Sequence, residues 1–220
     1  APFQTMRCLE QIKVNLGYMK FKVTMAGLAS GLALGTLGYT HCAIEDLAIM
    51  RAIPNITVLS PADCLETAKC VIAAVNNKES TYIRLTGTAN SPKVYDADYK
   101  FEIGQPIEIL QGEDIVIFAT GTMVANSIEA SKLLKEKGIN VTLVNVHTLK
   151  PINEDNIKKY LRKNKLVVTV EEHSIIGGLA SAISEINSKL STYNNHVSIA
   201  IPNQYDKGGP YDFIKEKNYL

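Results

Sequence analysis

An α/β fold with a largely parallel sheet is what the sequence predicts, on three observations: short apolar runs alternate with amphipathic helical stretches, turn residues separate them, and apolar residues are plentiful. The chain has 220 residues, 46% hydrophobic and 20% charged, which excludes disorder and suffices for one large core or two small ones. With 23 Lys and Arg against 22 Asp and Glu the formal charge is +1. No bulk attraction to nucleic acid or anionic membrane follows from that balance, and neither is expected as a partner.

In chain order, Met6, Leu9, Ile12, Leu16 and Met19 recur at helical spacing and predict a helix over residues 4–20. Residues 21–26 read as a short strand, followed by a glycine-rich loop. Residues 43–53 form a short helix, with Glu45 and Asp46 in its first turn and Pro54 as its stop. Residues 56–59 are a buried strand. Asp63 and Glu66 have the N-cap and N3 identities of a capping box, opening a helix that puts Leu65, Ala68, Ile72 and Val75 on its core face. Residues 82–86 supply the next strand. The pattern dissolves between Gly87 and Gly112, with only 107–110 strand-like, so the chain divides into residues 1–95 and 96–220. Beyond that, strands at 114–120, 141–146, 166–170 and 196–201 alternate with helices after Gly121, from Asn153 and from Gly178.

Val23 to Leu37, the longest apolar-rich stretch, is short and broken by Gly27, Gly31 and Gly35, unlike a membrane span. The first ten residues lack the order of a signal peptide. Cys8, Cys42, Cys64 and Cys70 form no CxxC or CxxH pair and are read as reduced packing residues of a cytoplasmic protein. The chain opens on Ala1 rather than Met, so a longer chain cut at this point is expected.

Ligands of an open parallel sheet bind at the carboxyl ends of its strands, which directs attention to the loops there. Residues 27–41 combine four glycines, which let backbone approach a ligand, with His41 at a helix entrance, suited to hydrogen bonding or proton transfer. The alternative is a glycine-rich connection in which His41 merely caps the helix. Gly27, Gly31 and Gly35 match no phosphate-binding fingerprint. Glu171-Glu-His173 lacks a second His or Cys at metal spacing and reads as a surface or subunit-contact segment. His147 and His196 have less support.

From Gly38-Tyr-Thr-His41 through Asp46, Arg51 and Pro54 to Pro61-Ala-Asp63, the sequence resembles transketolases, especially the C-terminal subunit of the two-chain kind. The resemblance extends through Ala1-Pro-Phe3, Tyr82-Ile-Arg84, Asp114 to Gly121, Val146-His-Thr-Leu-Lys-Pro151 and Glu171 to Gly178. It implies the later part of a thiamin diphosphate pyrimidine-binding domain over 1–95 and a transketolase C-terminal domain over 96–220. It implies transfer of a two-carbon ketol unit between sugars on thiamin diphosphate, the cofactor supplying the difficult chemistry. Phe3 matches an aromatic that stacks on the cofactor pyrimidine, Met6 stands where another aromatic is common, and His41 is the catalytic candidate beside the thiazolium and sugar.

Three departures accompany the resemblance. The glutamate of a GIxEQN-like motif would lie upstream of Ala1, and the diphosphate motif with its Mg2+ ligands belongs to a partner, the N-terminal subunit carrying the diphosphate-binding domain. No metal ligand is expected here, and a homodimer or heterotetramer is. An acidic Gly-Glu-Asp-Gly before the Thr-His is replaced by Gly35-Thr-Leu37-Gly38. The sugar-phosphate arginine and histidine are replaced by Gly87 and, in its region, Leu28. The sugar is therefore expected to differ from ordinary pentose phosphates: unphosphorylated, nucleotide-linked or a small aldehyde. The rival readings are a non-catalytic assembly subunit, a 1-deoxyxylulose-5-phosphate synthase-like chain and a 2-oxo-acid dehydrogenase β-like chain.

Overall fold

The computed structural model describes residues 1–87, 91–191, 194–218 and 220. The chain opens with α1 (Pro2–Thr5) and α2 (Leu9–Gln11), which runs on as a π-helical stretch over Ile12–Tyr18. Then follow β1 (Thr24–Ser30), α3 (Asp46–Ala52), β2 (Ile56–Leu59), α4 (Cys64–Asn76) and β3 (Ser80–Thr86). The second half comprises β4 (Ile107–Leu110), β5 (Ile115–Ala119), α5 (Met123–Glu136), β6 (Val141–Asn145) and β7 (Thr148–Lys150). It ends with α6 (Glu154–Lys163), β8 (Leu166–Ser174), α7 (Leu179–Asn187), β9 (Asn195–Ile201) and α8 (Tyr211–Lys217).

Two mostly parallel sheets result, as the alternation of strand and helix predicts. The first has the order β1-β3-β2-β7, with only β7 antiparallel; the second has the order β4-β6-β5-β8-β9, with only β4 antiparallel. Because β7 arises in the second half, that half completes the first sheet. One apolar core spans both: Met25, Met50 and Val58 belong to the same cluster as Phe118, Val144 and Leu179.

Several local expectations are corrected. The helix expected over 4–20 is broken, and Gly17 in its π-helical part lies against Ile53 and Pro54 where a Cβ would overlap them. The first strand starts at Thr24 and runs into the glycine-rich segment, because Gly27 is there for packing: the Tyr82 ring fills the space a Cβ would need. On α4 the core face is the opposite of the one expected. Glu66, Cys70 and Ala74 are buried whereas Ile72 and Val75 face outward, 64% and 62% exposed. The reason is polar. Glu66 Oε1 accepts hydrogen bonds from the Tyr99 hydroxyl at 2.8 Å and from Asn145 Nδ2 at 2.9 Å, so the helix turns its carboxylate inward to tie the two halves. Burial pushes the Glu66 carboxyl above its ordinary range, against the pull of these hydrogen bonds. Cys8 and Cys64 are exposed rather than packed, while Cys42 and Cys70 are buried. Neither β7, three residues long, nor α8 is among the elements expected from the sequence.

Candidate active site

At the carboxyl end of β1 the chain leaves the sheet in a loop closed by a two-way bridge. Gly31 N donates to Ala43 O at 2.8 Å and Ala43 N returns a bond to Gly31 O at 3.0 Å. Gly31 takes φ +67°, and a Cβ there would overlap Glu172, so both backbone and packing require glycine at the neck. Within the loop His41 is half-buried, its Nδ1 3.0 Å from Thr40 Oγ1. Among the described residues its Nε2 makes no hydrogen bond. The capping alternative for His41 fails: α3 begins at Asp46 and its N-cap has no side-chain bond.

The Phe3 ring meets His41 edge to face, with centroids 5.1 Å apart and planes at 88°. α1 presents it: Pro2 in the first turn suits a helix start, Thr5 turns inward, and Phe3 and Met6, three residues apart, share the outer face. Both stay open, 42% and 40% exposed, although Arg7 lies over the Phe3 ring at 4.4 Å. The three residues singled out in the sequence thus fall at one end of the first sheet, with Phe3 and His41 in contact.

Beneath this lip lies a saturated polar interior. Arg84 Nε donates to both oxygens of Asp46 at 3.1 and 2.9 Å, Nη1 to Thr86 Oγ1, and Nη2 to Ala43 O and Glu172 O; the Tyr82 hydroxyl donates to Asp46 at 2.7 Å. All three side chains are buried. With four of its five N–H groups engaged and its side chain buried, this guanidinium is held inside the fold.

Glu171, Glu172 and His173 are not on the surface as expected; they are fully buried within β8. Glu171 accepts from the backbone N–H groups of Leu179 and Ala180 at the start of α7, at 2.7 and 2.8 Å, where the helix dipole favours an anion. His173 is 2.8 Å from Ser174 O through Nδ1, and Ala48 N donates to its Nε2 at 3.4 Å. Glu172 Oε1 accepts from Leu32 N at 2.7 Å, and its Oε2 accepts from the hydroxyls of Thr122 and Tyr211 at 3.1 and 2.6 Å. Burial pushes its carboxyl above the ordinary range despite these donors. Nothing in the sequence joined Leu32, Thr122, Glu172 and Tyr211, because the pairing spans residues up to 140 apart in the chain.

The family profile of the transketolase pyrimidine-binding domain matches residues 2–90, and that of the transketolase C-terminal domain matches residues 106–212. A solved structure described as a split gene transketolase, inactive beta4 tetramer, is similar over 98% of this chain and 68% of that one, with 34% identity and a TM-score of 0.86. The chain belongs to the transketolase family. It is 36% identical over 190 residues to a subunit of the apulose-4-phosphate transketolase of Phocaeicola vulgatus, covering 86% of this chain and 61% of that protein. It is 31% identical over 215 residues to the 6-deoxy-6-sulfo-D-fructose transketolase subunit of a Clostridium species, covering 98% and 66%. The chain thus spans about three fifths to two thirds of these relatives. No helix among the described residues is long and apolar enough to cross a membrane.

Proposed function

We propose that this transketolase-family chain is one of the two subunits of a thiamin diphosphate-dependent transferase that moves a two-carbon ketol unit between sugars, and that it supplies the surface receiving the cofactor's aminopyrimidine. The observation that carries this is the open lip: Phe3 and Met6 on the outer face of α1, with His41 against the Phe3 ring. An exposed aromatic ring beside a thioether suits a flat heterocycle. Among the described residues no group of three or more His, Cys, Asp or Glu could hold a metal ion. From the resemblance to two-chain transketolases, the reading assigns the diphosphate and Mg2+ to an N-terminal subunit, with this chain in a homodimer or heterotetramer.

Bound thiamin diphosphate supplies the electron sink for breaking a ketose carbon–carbon bond. In this reading Phe3 stacks on the pyrimidine, Met6 packs at its border, and His41 uses Nε2 to hold or pass a proton at a sugar oxygen. The division at residues 95/96 marks the end of the pyrimidine-binding unit, and a cytoplasmic setting suits the free cysteines. The sugar is non-standard. Arg84 is buried and turned inside, Gly87 offers no cation, and Leu28 and Leu37 are exposed apolar residues where polar contacts would be needed. The names of the relatives, which refer to apulose 4-phosphate and a sulfonated fructose, support a departure from ordinary pentose phosphates.

The test is reconstitution of the full-length chain with its N-terminal subunit, thiamin diphosphate and Mg2+. The expected result is a measurable heat of cofactor uptake by the pair, and xylulose 5-phosphate turnover well below that of at least one of three non-standard ketoses: a non-phosphorylated ketose, apulose 4-phosphate or 6-deoxy-6-sulfo-D-fructose. Absence of any uptake heat rejects the reading, and ordinary turnover of xylulose 5-phosphate rejects the sugar assignment. A second reading, a non-catalytic assembly subunit, draws support from the relative described as an inactive tetramer. It predicts cofactor uptake by the pair with no turnover of any ketose.

A further inference from the structure

The last segment of the chain packs onto the loop that carries His41. Gly209 N donates to Gly35 O at 3.0 Å, and Ile214 fills the space where Gly35 would carry a Cβ. Ile214 and Ile201 form one buried cluster with Leu32, Cys42 and Ile44, on which Tyr39 and Tyr211 pack. Within this contact Tyr211, the first residue of α8, donates its hydroxyl to Glu172 Oε2 at 2.6 Å, while Oε1 of the same carboxylate takes Leu32 N at 2.7 Å. Leu32 follows Gly31, half of the bridge that closes the loop. The backbone of Glu172 is anchored by Arg84, which also holds Ala43 O, the other half of the bridge. One carboxylate and one guanidinium therefore grip both sides of the neck, and Tyr211 completes the carboxylate's set of donors.

We infer that Tyr211, acting through Glu172, is a positioning residue that fixes the 31–43 loop and with it His41. This rests on the proposed function for the consequence of moving His41, but not for the tether itself. Loss of the Tyr211 hydroxyl leaves Oε2 in a buried site with Thr122 as its remaining side-chain donor among the described residues. An under-solvated carboxylate redistributes its remaining bonds, and the Leu32 N–H at the neck is the backbone group that moves with them.

The experiment compares the full chain with Tyr211→Phe and with Tyr205→Phe as control. Tyr205 is exposed and bonds Glu45 from the same terminal segment without touching Glu172. Amide hydrogen exchange of the peptide spanning residues 31–42 is expected to rise about tenfold in Tyr211→Phe. Peptides of β5 and β8 and the Tyr205→Phe control stay unchanged. In the reconstituted pair, kcat falls about tenfold with KM within about twofold. Unchanged exchange at 31–42 in folded Tyr211→Phe overturns the tether, and faster exchange with unaltered kcat overturns the positioning role. A wild-type pair that transfers no ketol unit rejects the proposed function, while exchange still decides the tether. Should Tyr211→Phe not fold, Thr122→Val removes the other hydroxyl on Oε2 and is read by the same two measurements.

Discussion

Asp46 with Arg84 and Phe3 with His41 lie at the same end of the same sheet and could hardly differ more in how their bonding capacity is used. The inner pair is buried, each polar atom facing a partner within about 3 Å. The outer pair is half-open, with aromatic surface exposed and one imidazole nitrogen unengaged among the described residues. A polar group whose bonds are spent inside the fold supports it, whereas one that keeps some open can meet a ligand. By that criterion Arg84, buried beneath the lip, belongs to the scaffold, whereas Arg7, exposed over the Phe3 ring, is the cation left open.

Removing one inner partner should have the largest effect. Arg84→Met leaves Asp46 charged and unpaired in the interior and is expected to cost about 3–5 kcal/mol, read by urea denaturation or, if the chain no longer folds, by soluble yield. A stability loss under 1 kcal/mol would break the contrast. Next comes a pH effect at His147, whose ring lies 4.3 Å from that of Phe101 and whose burial depresses its proton affinity to about 4. A base depressed in the folded state stabilises above its unfolded value of about 6.5 and loses that contribution as pH falls toward 4. Unfolding free energy should therefore drop by up to about 3 kcal/mol between pH 6.5 and 4. The drop should shrink in His147→Gln, and equal slopes in the two proteins would refute it.

The outer pair should behave in the opposite way. His41→Ala is expected to change stability by no more than about 0.5 kcal/mol while lowering ketol transfer by the reconstituted pair about a hundredfold. A variant that unfolds, or that keeps full activity, would remove His41 from the proposed site. Smallest of the four, Phe3→Ala should weaken thiamin diphosphate uptake by about tenfold, the scale of one aromatic stacking contact, as measured by calorimetry. Unaltered affinity would move the pyrimidine elsewhere.

Much of this was legible in the sequence wherever the signal was local. The strand over residues 56–59 and the Asp63 cap were read correctly, since Asp63 Oδ1 does accept from Glu66 N at 2.9 Å. The lip residues came from motif resemblance rather than from pattern. What escaped was non-local. Glu66 was read as a capping residue, and its carboxylate does take a loop N–H, from Ala62; yet it also closes a network with Asn145 and two tyrosines across the halves. That demand reversed the buried face of α4 against its apolar pattern. Glu171 to His173 reads as a surface or subunit-contact segment because no second His or Cys stands at metal spacing. Each instead has partners supplied from elsewhere: the start of α7, the neck of the loop, and α3.

The short strand β7 reaches from the second half into the first sheet, beside β2. A strand lent in this way removes any hinge between the halves: bending at residue 95 would strip Val58 and Leu59 of their neighbour and open the shared core. Such a chain should melt in one calorimetric transition and resist being cut into independent modules. Motion within such a chain is confined to its surface loops.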